Sequence, residues 1–390
     1  EAPLGWKNYI TAYSSPATYA MLLNTLWFAV GAVLIGVTLG VGFAWLLERT
    51  NIPFKDYLYA MIPLPMVIPG MLGAIAWILI LSPRIGLINL SLMHVFGLKK
   101  APFDIYTIWG MFFVQGMRMV PTMFLMVVGA FRSMDPSLEE ASSMSGCGTL
   151  NTLRRVTAPL MLPAILSAVI YSFTGAMEAF EIPGIIGMTA VIQVFSTRIY
   201  MAIREVPANY SLASALGVTF VLFSILAMLI YQRMTRKAEK YATITGKGFR
   251  PRVIDIGGWR YLAFAVIATY NFISLILPLF ILVWGSFQPF YQVPSLAALN
   301  NVALKAYRSV FNYPQVALAF KNTLYLMIDS ATLSVILGTL IAWIVVRTNM
   351  KGKRLFDTLT FIPHGMPGIV IGLALLIVYL RLDFLPIYGT

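Results

Sequence analysis

Apolar residues come in long runs separated by short polar loops. Crossing the hydrocarbon layer takes roughly 20 mostly apolar residues in a helix. Eight runs reach that length, near 24–47, 58–82, 105–131, 160–180, 208–231, 261–285, 321–346 and 355–380. In lipid, every backbone N–H and C=O has to be satisfied within the protein, so each run is predicted to be a helix. Several runs contain Pro or Gly, which membrane helices tolerate because neighbouring helices and small internal shifts re-satisfy the freed groups. The predicted fold class is an all-α membrane protein, a polytopic helical bundle.

Composition agrees. Hydrophobic residues make up 59% of the chain and charged residues 11%, against about 25% charged in an ordinary soluble domain. The mean hydropathy is +0.80. A soluble chain this apolar could not cover its own surface, so lipid is the solvent for much of it. The net charge of +13 would suggest nucleic acid in a soluble protein. Here the basic residues sit in loops between apolar runs, so membrane topology explains them better and no nucleic-acid partner is expected. One cysteine, Cys147, excludes an internal disulfide framework and a cysteine metal cluster. His94 and His364 are isolated and read as structural, so no metal site is assigned.

Alternation places loops 48–57, 132–159, 232–260 and 347–354 on one side. They carry seventeen of the 28 Lys and Arg, from Arg49 and Lys55 to Lys353 and Arg354. Basic loops are retained in the cytoplasm, so this side is cytoplasmic and both ends of the chain lie outside. The longest basic loop, 232–260, reads as an inside-retention signal joining two halves. A lipid-headgroup contact is the alternative.

Two stretches repeat. NTLWFAVGAVLIGVTLGVGFAWLLERTN begins at Asn24, and NTLYLMIDSATLSVILGTLIAWIVVRTN begins at Asn322, an offset of 298. Gly40 meets Gly338, Trp45 meets Trp343, Arg49-Thr50-Asn51 meets Arg347-Thr348-Asn349, and Pro69-Gly70 meets Pro367-Gly368. Shared apolar composition would match Leu and Val, not Trp, Pro and Gly in fixed register. The copies are parallel, because each has the same loop side. The register predicts a first half over 1–231 lacking its first span, a linker over 232–260, and the start of a second half over 261–390. The full protein is expected to hold two six-span halves, twelve spans in all.

The loop from Asp135 to Ile165, DPSLEEASSMSGCGTLNTLRRVTAPLMLPAI, carries the most specific pattern. Glu140-Ala141-Ser142 is followed after three residues by Gly146, and after nine more by Val156-Thr157-Ala158-Pro159. It resembles the EAA loop of ABC importer permeases, with Ser142, Val156 and Ala158 as conservative departures. Ser137, with Glu140 three residues on, suggests a capping box opening a short helix. Gly146 and Gly148 are expected to end that helix, and a second is expected from Leu150 to Val156, stopped before Pro159. Small residues at 141–143, 145 and 146 allow close approach by a partner. The resemblance implies that Glu140, Ala141, Ser142, Gly146 and Pro159 dock on an ATP-hydrolysing subunit and carry its motion to the spans. The chain has no GxxxxGK[ST] phosphate loop. ATP and Mg would therefore be bound by a partner chain, a homodimer of cassette ATPases, and no cofactor belongs to this one. No outer loop is long enough to be a solute-binding domain, so a periplasmic binding protein is the second expected partner. The lipid bilayer of a bacterial inner membrane is the third.

The fused span order and linker look like the ferric-iron permeases of bacteria. That resemblance implies Fe(III) as substrate, with polyamine, thiamine, phosphonate or an oxyanion as alternatives. Ionisable residues within spans are costly and often functional. Arg118, Asp329, Glu178 and Glu181 are candidates for the translocation path, and a structural ion pair is the other reading for Arg118 and Asp329. The Met run at 111, 117, 119, 123 and 126 reads as a flexible packing surface rather than a soft-metal relay. An ion-gradient-driven transporter would also show repeats and buried charge, but has no need of the EAA pattern. A membrane enzyme would need catalytic groups converging on one membrane side, and no such cluster is present.

Overall fold

A short helix, α1 (Lys7–Ser14), leads through Ser15 into α2 (Pro16–Arg49), with Pro16 in the first turn where its missing N–H costs nothing. The computed structural model describes residues 6–238, 253–361 and 368–381. Next come α3 (Lys55–Met61), a 3-10 turn (Leu64–Val67), α4 (Gly70–Leu81), α5 (Leu87–Phe96) and α6 (Ile108–Ser133). Two short helices, α7 (Ser137–Met144) and α8 (Thr149–Thr152), join α6 to α9 (Ala158–Glu178), which α10 (Phe195–Arg204) and α11 (Tyr210–Ala238) follow. From residue 253 onward the elements are α12 (Trp259–Asn271), a π turn (Phe272–Ile276), α13 (Leu277–Ser286), α14 (Leu296–Leu299), α15 (Lys305–Asn312), α16 (Pro314–Arg347), α17 (Lys353–Phe361) and α18 (Gly368–Arg381). Among the described residues there is no strand beyond an isolated parallel bridge, Thr50 with Ile254.

The eight predicted spans resolve differently. Among the described residues, five helical runs are long and apolar enough to cross a membrane: Pro16–Arg49, Ile108–Ser133, Thr149–Gly187, Trp259–Ser286 and Pro314–Arg347. The run at 58–82 is not one straight helix. It breaks into Lys55–Val67 and Gly70–Leu81, bent by 98°. Pro63, Pro65 and Pro69 account for the break, since each removes a backbone donor and pushes the preceding residue out of helical geometry. The run at 208–231 lies in α11, whose described apolar stretch is Tyr210–Leu226. The run at 355–380 is covered by α17 and α18, with 362–367 between them outside the described residues.

The main core forms where α2 and α6 cross, with α9 alongside. Ala29, Ala32, Val33, Phe43 and Leu47 of α2 are buried with Val120, Met123, Phe124 and Val127 of α6, and Met161 and Ala168 of α9 join them. Glycine sets the approach. A Cβ on Gly40 would lie 2.6 Å from Met123 Cβ and 3.0 Å from the Val120 carbonyl, and one on Gly116 would lie 2.9 Å from the Ala32 carbonyl. Close backbone approach through small residues is how membrane helices gain packing where lipid supplies no hydrophobic drive. The Met residues 111, 117, 119 and 123 are all buried in α6, where their flexible side chains fill the gaps of that packing. A second cluster gathers Phe195, Ile199 and Ala202 of α10 with Ala213, Leu216 and Phe220 of α11 and Leu373 of α18.

Contacts divide the chain into two units, Glu1–Leu279 with Pro367–Thr390, and Phe280–Met366. Within the second, the Trp284 indole donates to the Gln292 carbonyl at 2.7 Å and Ala303 N–H donates to the Phe287 carbonyl at 2.9 Å. Helices α15 and α16 begin and end at the positions of α1 and α2 shifted by the repeat offset.

Candidate functional site

The loop between α6 and α9 folds as two short helices around a glycine elbow. At its start, Asp135 Oδ1 accepts the Ser137 N–H at 2.9 Å, the Asx arrangement that opens a turn. The expected capping box does not form. Pro136 takes the N-cap position with no side-chain bond, and Glu140 points outward, exposed. At its end, α7 closes with a Schellman motif. Gly146 adopts φ +82°, its N–H donates to the Ser143 carbonyl at 3.0 Å, and Cys147 N–H donates to the Ser142 carbonyl at 3.1 Å. That left-handed cap favours glycine because it has no Cβ to clash. The second helix is not stopped before Pro159. α8 passes through a π turn, Leu153–Thr157, straight into α9, so Pro159 lies inside a continuous helical run immediately after that turn, a place where the regular hydrogen-bond ladder is already interrupted.

Ser142 Oγ and Thr152 Oγ1 lie 2.9 Å apart and tie the two helices together. The outer surface of the elbow holds Glu140, Ala141, Cys147 and the apolar side chains of Leu138, Met144 and Leu150, the last two 90% and 77% exposed.

The residue that anchors this loop is Glu139, adjacent to the one the sequence pattern singles out. Glu139 is 1% exposed, and its Oε1 accepts the Thr157 hydroxyl at 2.6 Å. Its Oε2 lies 3.4 Å from Nε of Arg49, a fully buried side chain at the end of α2. Arg49 Nη2 also donates to the Met134 carbonyl at 3.2 Å. Beside them Arg132 pairs with buried Glu48 at 3.2 Å and stacks over Tyr59, 5.2 Å from its ring centre. The described end of the linker joins the same place. Ile254 N–H donates to the Arg49 carbonyl at 2.8 Å, and Asn51 N–H donates to the Ile254 carbonyl at 3.2 Å. Asn51 Nδ2 donates to Asp255 at 2.5 Å, and Asn51 Oδ1 accepts the Ile256 N–H at 3.2 Å. The Gly257 N–H and the Asn51 amide hold the Asp255 carboxyl below its ordinary range. Sequence reasoning passed over Arg49, Asn51, Glu139, Thr157 and Asp255. The one signal available was the recurrence of Arg-Thr-Asn at 347–349.

The four charges within spans are not one cluster. Arg118 of α6 and Glu181 form an ion pair, packed against Gly70 at the start of α4, where a Cβ would overlap both groups. Gly70 and Arg118 line a small cavity of about 30 Å³ with Pro65, Trp77, Ser274 and Pro278. Glu178 ends α9, and its Oε1 is buried without a hydrogen-bond partner. Asp329 belongs to the other unit, exposed on α16. Among the described residues, no three His, Cys, Asp or Glu side chains gather as a metal site would require. Arg118 lies within a span, where removing one partner of the pair leaves the other without its counter-charge. In a double-mutant cycle of thermal unfolding in detergent, Arg118→Met and Glu181→Gln should each destabilise, and the double variant by little more than either alone. Strict additivity would refute the pairing.

Comparison with known proteins fits this architecture. Residues 16–240 match the family described as binding-protein-dependent transport system inner membrane component. The ferric transport system permease protein FbpB of Actinobacillus pleuropneumoniae is 28% identical over 365 residues, 92% of this chain and 51% of that protein. The Fe(3+)-transport system permease protein FbpB 2 of Haemophilus influenzae is 22% identical over 92% of this chain and 63% of its own length. The chain thus spans about half to two thirds of the length of these curated relatives. A crystal structure of a bacterial alginate ABC transporter, in complex with an alginate pentasaccharide-bound periplasmic protein, superposes with a TM-score of 0.53 at 20% identity. It covers 62% of this chain and 85% of that one, and shows a shared fold. A family match over more than half the chain, together with apolar membrane-length helices, identifies this chain as a multi-pass inner-membrane protein of the binding-protein-dependent ABC importer permease family.

Proposed function

We propose that this chain forms part of the substrate path of an ATP-driven importer and couples to a separate ATPase through the loop at 135–165. The observation that carries the reading is the elbow itself. Its backbone is fixed by the Schellman cap and the Ser142–Thr152 bond, and it is pinned to α2 through Glu139. Outward it presents Leu138, Met144, Leu150 and Glu140. Apolar side chains held rigidly on an otherwise polar loop suit a protein partner. A homodimer of cassette ATPases binds ATP and Mg and hydrolyses the ATP, and a periplasmic binding protein delivers substrate. Closure of the ATPase pair draws the loop inward, and the spans follow.

Fe(III) is the proposed substrate, on the strength of relatives named for ferric transport. Glu178 supports it, because it offers a carboxylate oxygen with no hydrogen-bond partner, and hard oxygen ligands suit a hard cation. Two measurements test the reading. The first is uptake into vesicles holding the full permease, its ATPase and the binding protein. Glu140→Trp should lower ATP-dependent uptake by about tenfold or more, as loss of a central interface contact does, with helix content unchanged. Uptake that survives ATP depletion and tracks an ion gradient would favour a secondary transporter instead. The second is identification of the ligand carried by the cognate binding protein. A polyamine, thiamine, phosphonate or oxyanion there would displace Fe(III) while leaving the coupling role standing.

A further inference from the structure

From sequence, the linker between the two halves reads as an inside-retention signal, with a lipid-headgroup contact as the alternative. Its described end instead closes over the junction on which the coupling loop rests. We propose that Arg49 is the positioning residue that transmits movement of the coupling loop to span α2, and that the segment 253–257 is a clip that holds Arg49 in place. The inference rests on the coupling role proposed above.

Three observations carry it. First, Arg49 is fully buried at the end of the longest core helix and ion-pairs with Glu139, the buried carboxylate of α7. A buried guanidinium without its carboxylate is costly, so the pair resists separation and a pull on α7 is passed to α2. Second, Arg49 is held by both its side chain and its backbone. The side chain reaches Glu139 and the Met134 carbonyl, while the backbone carbonyl accepts the Ile254 N–H. The loop before α7, α7 itself and the linker therefore meet on one residue. Third, the clip is specific: Asn51 uses its backbone N–H, its amide nitrogen and its amide oxygen on three successive residues, Ile254, Asp255 and Ile256. A passive linker needs no such register. The Arg-Thr-Asn triplet that builds the junction recurs at 347–349, although most neighbouring positions differ between the two copies.

The test uses the full permease with its ATPase and binding protein in liposomes, with radiolabelled Fe(III) delivered on the binding protein. The readout is iron imported per ATP hydrolysed, alongside the amount of intact complex by gel filtration. Arg49→Met and Glu139→Met should each lower that ratio by about fivefold or more, and Arg49→Lys, which keeps the charge, by less. The double variant Arg49→Met/Glu139→Met replaces a buried ion pair by apolar side chains, a change that proteins often accept without loss of stability. It should assemble like the natural complex and keep the low ratio. Recovery of the natural ratio in the double variant would overturn the proposal, because packing alone would then suffice. Asn51→Ala and Asp255→Ala should lower the ratio by about twofold, since water replaces exposed hydrogen bonds at little cost. No change there would overturn the role of the clip. If the natural complex imports iron without ATP, the coupling role fails before any variant is read, and this proposal falls with it.

Discussion

Replacing Gly146 with Val should lower ATP-driven uptake by about tenfold or more while the spans still fold. The residue sits at φ +82° in the cap that ends α7. An L-residue in that region costs about 1–2 kcal/mol, and a β-branched one lies at the upper end. About 2 kcal/mol lowers the population of the capped elbow roughly 30-fold against alternatives. Space is not the obstacle, because a Cβ there would meet nothing within 4 Å. The cost is therefore conformational, which gives a clean control. Gly146→Asn, whose side chain tolerates the left-handed region, should retain most uptake. Far-UV circular dichroism should show the same helix content in both variants. Equal uptake in Val and Asn variants would mean that the shape of the elbow has no part in coupling.

The largest effect on stability is expected at Gly40. A Cβ there would lie 2.6 Å from Met123 Cβ, 3.0 Å from the Val120 carbonyl and 3.1 Å from the Phe124 nitrogen. Two of the three obstacles are backbone atoms, so no rotamer change relieves them, and α2 has to move off α6. Overpacking of this kind costs about 3 kcal/mol. Gly40→Val should lower the midpoint of thermal unfolding in detergent by several degrees. Gly42 provides the contrast. It lies two residues on in the same helix, but a Cβ there meets nothing within 4 Å. Gly42→Val should change stability by less than about 0.5 kcal/mol. Equal loss at the two positions would mean that the glycines act through helix propensity rather than through the crossing.

That pair of glycines marks the boundary between what the residues show in one dimension and what they do not. The all-helical membrane class, the tandem repeat and the EAA-like pattern of the loop at 135–165 were legible in the sequence. Each depends on local quantities: the length of an apolar run, the register of Trp, Pro and Gly, and the spacing from Glu140 to Gly146. The need for glycine at 146 was legible for the same reason, since a left-handed cap is a property of one residue. Span continuity was legible only in part. Pro63, Pro65 and Pro69 are visible in the sequence, but the 98° bend they permit depends on what the freed backbone packs against.

The tertiary structure alone decided which carboxylate anchors the loop between α6 and α9. Glu139 and Glu140 are adjacent and chemically alike, and the helix turns about 100° between them. Only the packing of α7 against the end of α2 shows that Glu139 faces inward to Arg49 while Glu140 faces out. The same holds for the partners 85 to 205 residues apart, Arg49 with Met134, Asn51 with Asp255 and Ile256. It holds too for Arg118, whose ion-pair partner Glu181 lies 63 residues further along the chain. Hydropathy and spacing describe which residues a helix can bury. Which helix comes to lie against it is set by long-range contacts, and those decide the charge pairs.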